Sequence, residues 1–288
     1  MKILLILVLI AIVGLAIVFG VSAIDGNRFV IQYHTIEDEK LRKSGRFLFL
    51  SDLHNHSFGE KNGKLLQKIE ELHPDGVFLA GDMFTAKPGK SFQVAVDFLT
   101  ALAEKYPIYY GMGNHETRTT LYPDVYGDMW ERYRKELEKI GIVPMRNLSQ
   151  CIEEYGIRVT GLEIDRSFYK RFSHHTMGAS YIDQEVGKVQ KEYFQVLLAH
   201  NPEYFSAYSE WGADLVLSGH VHGGVVRLPL LGGVISPSLK LFPKYDGGVF
   251  YEKNAMMILS RGLGMHTLPI RFLNPGELIV LDFCGKNR

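Results

Sequence analysis

Metal-binding side chains occur in five short stretches of this chain, and they offer carboxylate, amide and imidazole ligands. The set contains no thiolate, and such a mixture suits manganese, iron or zinc better than magnesium or calcium. The residues concerned are Asp52, His54, Asp82, Asn114, His115, His200, His220 and His222. They are too many for one ion, so we expect two ions with Asp82 between them and His115 free for proton transfer. Two such ions can bind a phosphoryl group, activate water and stabilise an in-line displacement.

The sequence around these residues predicts that each lies just beyond the end of a buried strand. Short apolar runs rich in β-forming residues precede them at 46–50, 76–80, 108–110, 193–199 and 214–217. In a regular strand, His220 and His222 point to the same face. Singly, each of these residues could equally be a cap or a turn residue. Chance would scatter aspartate and histidine over surfaces and helices rather than collect them at strand ends.

Helical periodicity alternates with these strands. Apolar residues recur at helical spacing in 63–72, 91–105 and 126–140. Further strands are predicted at 28–36, 142–145, 148–152, 157–162, 256–260 and 278–283, whereas 165–187 and 229–254 are predicted to be irregular and could border a substrate pocket. The alternation predicts a layered α/β fold with helices covering the sheet. In such sheets, ligands gather beyond the carboxyl ends of the strands.

The composition excludes several other classes of protein. The 288 residues include 32 basic and 32 acidic side chains, so no polyanion-binding surface is indicated and no nucleic-acid partner is expected. Only two cysteines are present, Cys151 and Cys284, which excludes a cysteine-built zinc site and a disulfide-rich scaffold.

The N-terminal segment is apolar from residue 3 to residue 24 and is long enough to cross a bilayer. We interpret residues 1–25 as a transmembrane signal anchor and residues 26–288 as the catalytic domain. A signal peptide cleaved after Ala23 is the alternative.

The flanking charges bear on topology. Lys2 and the free amino terminus favour an N-terminus inside the cell, although Lys40, Arg42, Lys43 and Arg46 follow the segment. A short tail before a large domain predicts a single-pass membrane protein whose domain is extracytoplasmic.

The order of the motifs resembles that of the calcineurin-like metallophosphoesterases. The motifs are Asp-x-His at 52–54, Gly-Asp at 81–82, Gly-Asn-His-Glu at 113–116, His200, and Gly-His-Val-His at 219–222. The resemblance implies a four-layer α/β fold, with two mixed β-sheets packed as a sandwich and flanked by helices. It implies one ion on Asp52, His54, Asp82 and His222, and the other on Asp82, Asn114, His200 and His220. His115 would be the catalytic histidine, and manganese is the expected metal, with iron or zinc as alternatives.

The stretch 260–277, taken with the N-terminal segment, is similar to a membrane-anchored bacterial branch of that family. This branch is similar to UDP-2,3-diacylglucosamine pyrophosphohydrolases of lipid A synthesis and to phosphodiesterases of unknown substrate. We therefore expect hydrolysis of a phosphoester or pyrophosphate bond in a small-molecule or lipid-linked substrate at the membrane or envelope. A protein phosphatase or nuclease is an alternative within the enzyme class, and the neutral charge balance weakens the nuclease. A metal-binding envelope protein without turnover is the alternative outside it.

Several other residues have more than one interpretation. Arg261 and Arg271 could hold a substrate phosphate, or they could pair with structural carboxylates. Glu116 is expected to cap the following helix or support the site, and His56 to lie behind the ligands or on the surface. The remaining histidines are interpreted as loop or structural residues, namely His34, His73, His174, His175 and His266.

Overall fold

The computed structural model describes residues 1–170, 175–224, 226–228, 231–235, 241–265 and 270–285. Its α-helices are α1 (Lys2–Gly26), α2 (Gly63–Leu72), α3 (Gln93–Ala103), α4 (Asn114–Leu121), α5 (Pro123–Tyr126), α6 (Met129–Lys139), α7 (Ala179–Val186) and α8 (Phe205–Trp211). Its strands are β1 (Phe29–Glu37), β2 (Gly45–Leu50), β3 (Gly76–Leu79), β4 (Ile108–Tyr110), β5 (Leu148–Ile152), β6 (Ile157–Leu162), β7 (Phe194–Ala199), β8 (Leu215–Ser218), β9 (Val226–Leu228), β10 (Gly232–Ile235), β11 (Gly248–Glu252), β12 (Ala255–Leu259) and β13 (Gly276–Cys284).

Two mixed sheets form the centre of the molecule. The first has the strand order β1-β13-β2-β3-β4, and the second has the order β11-β12-β8-β7-β6-β5. Within them β2, β3 and β4 run parallel to one another, as do β6, β7, β8 and β12. Parallel neighbours bring their carboxyl ends to one edge, so the loops after β2, β3, β4, β7 and β8 can meet there.

Side-chain alternation along the strands separates the core into layers. Leu48 and Leu50 pack with the apolar faces of α2, α3 and α6 on the outside of the first sheet. Phe47 and Phe49 point to the other face and pack between the sheets, against residues of β6, β7 and β8. Helices α7 and α8 cover the outer face of the second sheet. The predicted sandwich of two mixed sheets flanked by helices is therefore confirmed.

Some predicted elements differ from the structure. Residues 142–145 are not a strand; only Met145 forms an isolated bridge, because Pro144 has no N–H to donate to a ladder. The predicted helix 126–140 begins later, as α6 at Met129, because Tyr126 is the last residue of the short helix α5, which ends at Gly127 with a φ of 61°. The segment 165–187, predicted to be irregular, contains α7, and the loop-rich segment 229–254 contains β10 and β11.

Helix α1 is exposed along most of its length, and among the described helices it is the one long and apolar enough to span a membrane. A signal sequence has the same properties. The last turn differs from the rest of the helix, because Ser22, Asp25 and Gly26 are buried against the folded domain.

Candidate metal centre

The structure brings all eight sequence-predicted site residues to one edge of the sandwich. The first sheet contributes Asp52 and His54 after β2, Asp82 after β3, and Asn114 and His115 after β4, and the second contributes His200 after β7 and His220 and His222 after β8. The ligand atoms of the aspartates and histidines form three overlapping groups, and within each group these atoms lie within 4.8 Å of one another. The strand ends therefore create a single cluster from two sheets.

One group of ligands comes from the loops after β2 and β8. Asp52 Oδ1 lies 3.2 Å from His222 Nε2. His54 Nε2 lies 3.2 Å from the same nitrogen of His222. Three ligand atoms converge on one point, and two of them are buried imidazole nitrogens.

A second group surrounds Asp82. Its Oδ2 lies 3.1 Å from His200 Nε2, and His220 belongs to the same group. The same Oδ2 lies 3.8 Å from His54 Nε2, which belongs to the first group. The carboxylate of Asp82 therefore lies between the two groups, where the sequence predicts a shared ligand.

Two buried atoms are suited to a cation. Asn114 Oδ1 and His200 Nε2 accept no hydrogen bond from any residue that the structure describes. Buried polar atoms normally have a partner, and a divalent cation would satisfy both. The ligand set of carboxylates, imidazoles and one amide oxygen fits a borderline divalent metal.

The orientation of His200 is fixed by its other nitrogen. Its Nδ1 lies 2.6 Å from the carbonyl oxygen of Ala80, so Nδ1–H donates, and in the neutral imidazole Nε2 carries the lone pair. A histidine held in this way presents a ligand nitrogen toward Asp82.

His115 has the opposite arrangement. The backbone N–H of Ala86 donates to His115 Nδ1 at 2.8 Å. In a neutral imidazole the proton must then reside on Nε2, which lies 3.9 Å from Asp82 Oδ2. His115 therefore presents a hydrogen-bond donor to the cluster, whereas His200, once neutral, would present a lone pair to a metal.

Electrostatics couple these groups strongly. Burial alone would raise the pKa of Asp82, but the imidazoles of His200 and His115 outweigh it and hold that pKa well below its usual range. Burial alone would lower the pKa of His200, but the charges of Asp82 and Asp52 raise it to about 10. Burial lowers the pKa of His220 to about 3. The two carboxylates thus create a strongly negative site that attracts positive charge.

The backbone around the cluster is strained. Positive φ angles occur at five of the ligand positions, namely Asp52, His54, Asp82, His220 and His222. Each such conformation costs about 1–3 kcal/mol in a residue other than glycine, and it persists where the surroundings impose it. Close packing helps to impose these conformations. For example, a side chain at Gly219 would clash with Asp52, because its Cβ would lie 2.2 Å from Asp52 Oδ2. The strained backbone conformations lower the folding stability and at the same time orient the ligand side chains.

Glu116 holds the loop that carries Asp82. Its carboxylate accepts backbone N–H groups from Asp82 at 2.8 Å, Met83 at 2.8 Å and Gly113 at 3.0 Å, and the hydroxyl of Tyr110 at 2.8 Å. Burial and the charge of Asp82 raise the pKa of Glu116 to about 7. The expected helix cap is present, and the same side chain supports the site.

Replacing Glu116 by glutamine should destabilise the protein by about 2–4 kcal/mol. Either orientation of the amide places an NH₂ group against two donors, so buried N–H groups lose their acceptor. Urea denaturation of the two proteins measures the change. Glu131→Gln, on the exposed face of α6, is the control and should unfold like the parent; equal stability of Glu116→Gln would refute the bridging role.

Asn274 supports the first group of ligands and was not singled out from the sequence. Its side-chain NH₂ donates to the carbonyls of His222 at 2.7 Å and Gly224 at 2.9 Å. Its backbone N–H donates to Asp25 Oδ2 at 2.9 Å, so the end of α1 also belongs to this support. The Asn-Pro-Gly turn at 274–276 was the available sequence signal, but a turn signal does not reveal a contact 52 residues away.

Asn274→Ala should weaken manganese binding about 10–100-fold, because residues behind the ligands tune metal affinity by that amount. Isothermal titration with Mn²⁺ measures it. Asn147→Gly removes an amide at a distant position of positive φ and should leave the affinity unchanged. Unchanged affinity in Asn274→Ala would mean that its hydrogen bonds serve the fold alone.

The two candidate phosphate-binding arginines have structural partners. Arg261 pairs with Glu277, with Nη2 2.9 Å from Oε1. Arg271 is buried, and its guanidinium donates to the carbonyls of Arg261, Gly262, Gly264 and Asn274. Arg261 thus contacts a carboxylate, whereas Arg271 contacts backbone carbonyls, and phosphate binding by either arginine stays a prediction.

The other histidines that the structure describes lie outside the ligand groups. The ring of His56 lies beside the backbone of Gly26, at the end of α1, and packs on Phe58. His175 packs near Phe168, with ring centroids 6.0 Å apart. His174 and His266 lie outside the described residues.

Comparison with known proteins places the chain in a family. The model of the calcineurin-like phosphoesterase family matches residues 45–224, which include every ligand position described above. The chain belongs to the calcineurin-like phosphoesterases. The family and the Asp/His groups together indicate a site for two divalent metal ions.

Similar proteins are known from several bacteria. An uncharacterized metallophosphoesterase of Helicobacter pylori is 26% identical over 257 residues, which cover 87% of this chain and 62% of that protein. An uncharacterized metallophosphoesterase of Aquifex aeolicus is 27% identical over 263 residues, which cover 89% of this chain and 92% of that protein. Among solved structures, TT1561 of Thermus thermophilus is 12% identical in sequence and superposes with a TM-score of 0.47. The match covers 76% of this chain and 89% of the TT1561 chain. The chain thus spans about three fifths of the length of its Helicobacter relative.

Proposed function

We propose that this protein is a two-metal phosphoesterase that hydrolyses a phosphoester or pyrophosphate bond. One ion would be held by Asp52, His54, Asp82 and His222, and the other by Asp82, Asn114, His200 and His220. The observation that carries the proposal is the position of Asp82, whose Oδ2 lies 3.1 Å from His200 Nε2 and 3.8 Å from His54 Nε2. A single carboxylate between two sets of imidazoles is the arrangement that two neighbouring ions require.

Two bound divalent ions supply Lewis acidity and lower the pKa of water, which is the chemistry that phosphoester hydrolysis needs. The residues of the chain position the shared carboxylate and supply a hydrogen-bond donor. Glu116 holds the Asp82 loop so that the carboxylate of Asp82 faces both groups of ligands. His115 carries its proton on Nε2, because Nδ1 accepts the N–H of Ala86, and it can donate a hydrogen bond from Nε2–H to the leaving oxygen.

Manganese is the metal we propose, with iron or zinc as alternatives. The ligands are oxygen and imidazole nitrogen without thiolate, which is compatible with all three.

We also propose that α1 anchors residues 26–288 to a membrane, with the domain on the extracytoplasmic side. The length and apolar character of α1 support the anchor. The substrate would then be a phosphoester or pyrophosphate at the membrane or envelope, and UDP-2,3-diacylglucosamine is one specific candidate.

A substrate panel tests this proposal. The full chain, purified in detergent with Mn²⁺, is offered a chromogenic phosphomonoester, a chromogenic phosphodiester and UDP-2,3-diacylglucosamine. Turnover of any one, absent in the Asp82→Asn protein, supports the phosphoesterase. Fast turnover of the UDP-lipid alone assigns lipid A synthesis, and turnover of the generic diester alone leaves another diester as substrate. Bound metal without turnover of any compound would favour a metal-binding envelope protein.

A further inference from the structure

The end of α1 is built into the folded domain. Asp25 is only 2% exposed, and it accepts the backbone N–H of Asn274 and forms an ion pair with Arg28 at 2.7 Å. A Cβ on Gly26 would lie 3.2 Å from Met265 Sδ, so the helix packs closely on this loop. The imidazole of His56 also lies beside the backbone of Gly26. Several contacts from three parts of the chain fix the direction of the helix relative to the domain.

The length of α1 leaves no linker between bilayer and domain. Its 25 residues span about 38 Å at 1.5 Å per residue, against about 30 Å for a hydrocarbon core. The last turn, with Ser22 and Asp25, is already buried in the domain. If α1 crosses a membrane, the surface of the domain beside Asn274 must therefore lie at the level of the lipid headgroups.

That surface carries a small apolar platform. Strands β9 and β10 form a separate hairpin. On one side of the hairpin, Val226 forms an isolated β-bridge with Phe272. On the other side, the N–H of Phe242 donates to the carbonyl oxygen of Val234 at 2.9 Å. The platform therefore joins 226–228, 231–235, 241–242 and 272–273 in one layer, directly before Asn274.

Large apolar side chains of this platform face the solvent. They are Leu231 at 63%, Leu241 at 68%, Phe242 at 61% and Leu273 at 42% exposure. Leu231 and Leu273 line the same cavity of about 570 Å³. Exposed Lys244 follows two residues after Phe242. Apolar side chains flanked by lysine are typical of segments that lie in a membrane interface.

We propose that this platform rests on the lipid bilayer beside α1, with Leu231, Phe242 and Leu273 inserted among the headgroups. The continuity of the platform with the helix end, through Leu273 and Asn274, favours lipid over a protein partner. The inference rests on the proposed membrane anchor. Asn274 also donates to the carbonyl of His222, so the platform places the metal centre next to the bilayer surface. A phosphoester in the headgroup layer is the class of substrate that this position serves.

Site-specific fluorescence tests the contact without requiring turnover. The full chain, with Cys151 and Cys284 replaced by serine, receives one cysteine in place of Leu231, Phe242, Leu273 or Val143. Each is labelled with an environment-sensitive dye and reconstituted into vesicles of phosphatidylethanolamine and phosphatidylglycerol. Val143 is the matched control, because it is 65% exposed and lies in the loop between α6 and β5. Thermal melting checks that each labelled protein remains folded.

We expect quenching by lipids that carry a shallow nitroxide to be at least about threefold stronger at Leu231, Phe242 and Leu273 than at Val143. Quenching by iodide, which stays in the water, should be stronger at Val143 than at Leu231, Phe242 and Leu273. Equal quenching at all four positions would overturn the proposal, as would quenching confined to Leu273 or failure of the chain to bind vesicles. A failure of the phosphoesterase assay would leave these signals intact, so the two proposals fail separately.

Discussion

Replacing Asp82 by asparagine should reduce phosphoester hydrolysis by more than about 10³-fold and should lower bound metal from two ions per chain to at most one. The substitution preserves shape, and the asparagine oxygen can still accept the backbone N–H of His115, which reaches Asp82 Oδ1 at 2.7 Å. What disappears is the charge and the second oxygen, Oδ2, which faces His54 and His200. Loss of the shared ligand therefore affects both sites at once.

Metal content by inductively coupled plasma mass spectrometry and turnover of a chromogenic diester are measured on the same preparation. Asp282→Asn provides the control, because Asp282 is a partly exposed carboxylate that pairs with Arg46 away from the site. Two ions and normal turnover in Asp82→Asn would show that the carboxylate is not a shared ligand.

His115→Ala should separate catalysis from metal binding. We expect turnover to fall about 10²–10⁴-fold, the usual contribution of a positioned proton donor, while two ions stay bound. The reason is geometric: Nδ1 is occupied by the N–H of Ala86, so the nitrogen facing the cluster carries a proton rather than a lone pair. Single-turnover kinetics and metal content measure the two quantities.

A second variant guards against a purely structural effect. His115→Asn retains a polar group near the Ala86 N–H but has no counterpart of Nε2, so it should be as inactive as the alanine protein. His73→Asn, at the exposed C-terminal cap of α2, should be fully active. Loss of one metal ion in both His115 variants would reassign this histidine as a ligand.

The positions of the candidate ligands could be predicted because they follow from one rule about parallel sheets. Asp52, Asp82 and His200 each come directly after a short apolar run, and the chain has few other places where such a run ends in a ligand. Strands of this kind are recognisable locally, and their carboxyl ends meet wherever the strands are parallel. The alternation of strands and helices predicted the layers for the same reason.

The supporting contacts could not be predicted, because they join parts of the chain that are far apart in sequence. Asp25 and Asn274 are 249 residues apart, and no local pattern relates the end of an apolar helix to a turn before the last strand. The proton position on His115 likewise depends on the N–H of Ala86, 29 residues earlier. The partners of Arg261 and Arg271 became distinguishable only when the carboxylate of Glu277 and the carbonyls of the loop were placed around them.

Anomalous diffraction from crystals of the manganese-loaded protein, recorded at the manganese absorption edge, tests the central claim most directly. We predict two peaks about 3.5–4 Å apart, on either side of the Asp82 carboxylate. One should contact Asp52, His54 and His222, and the other Asn114, His200 and His220. A single peak, or two peaks that share no ligand, would contradict the two-metal account.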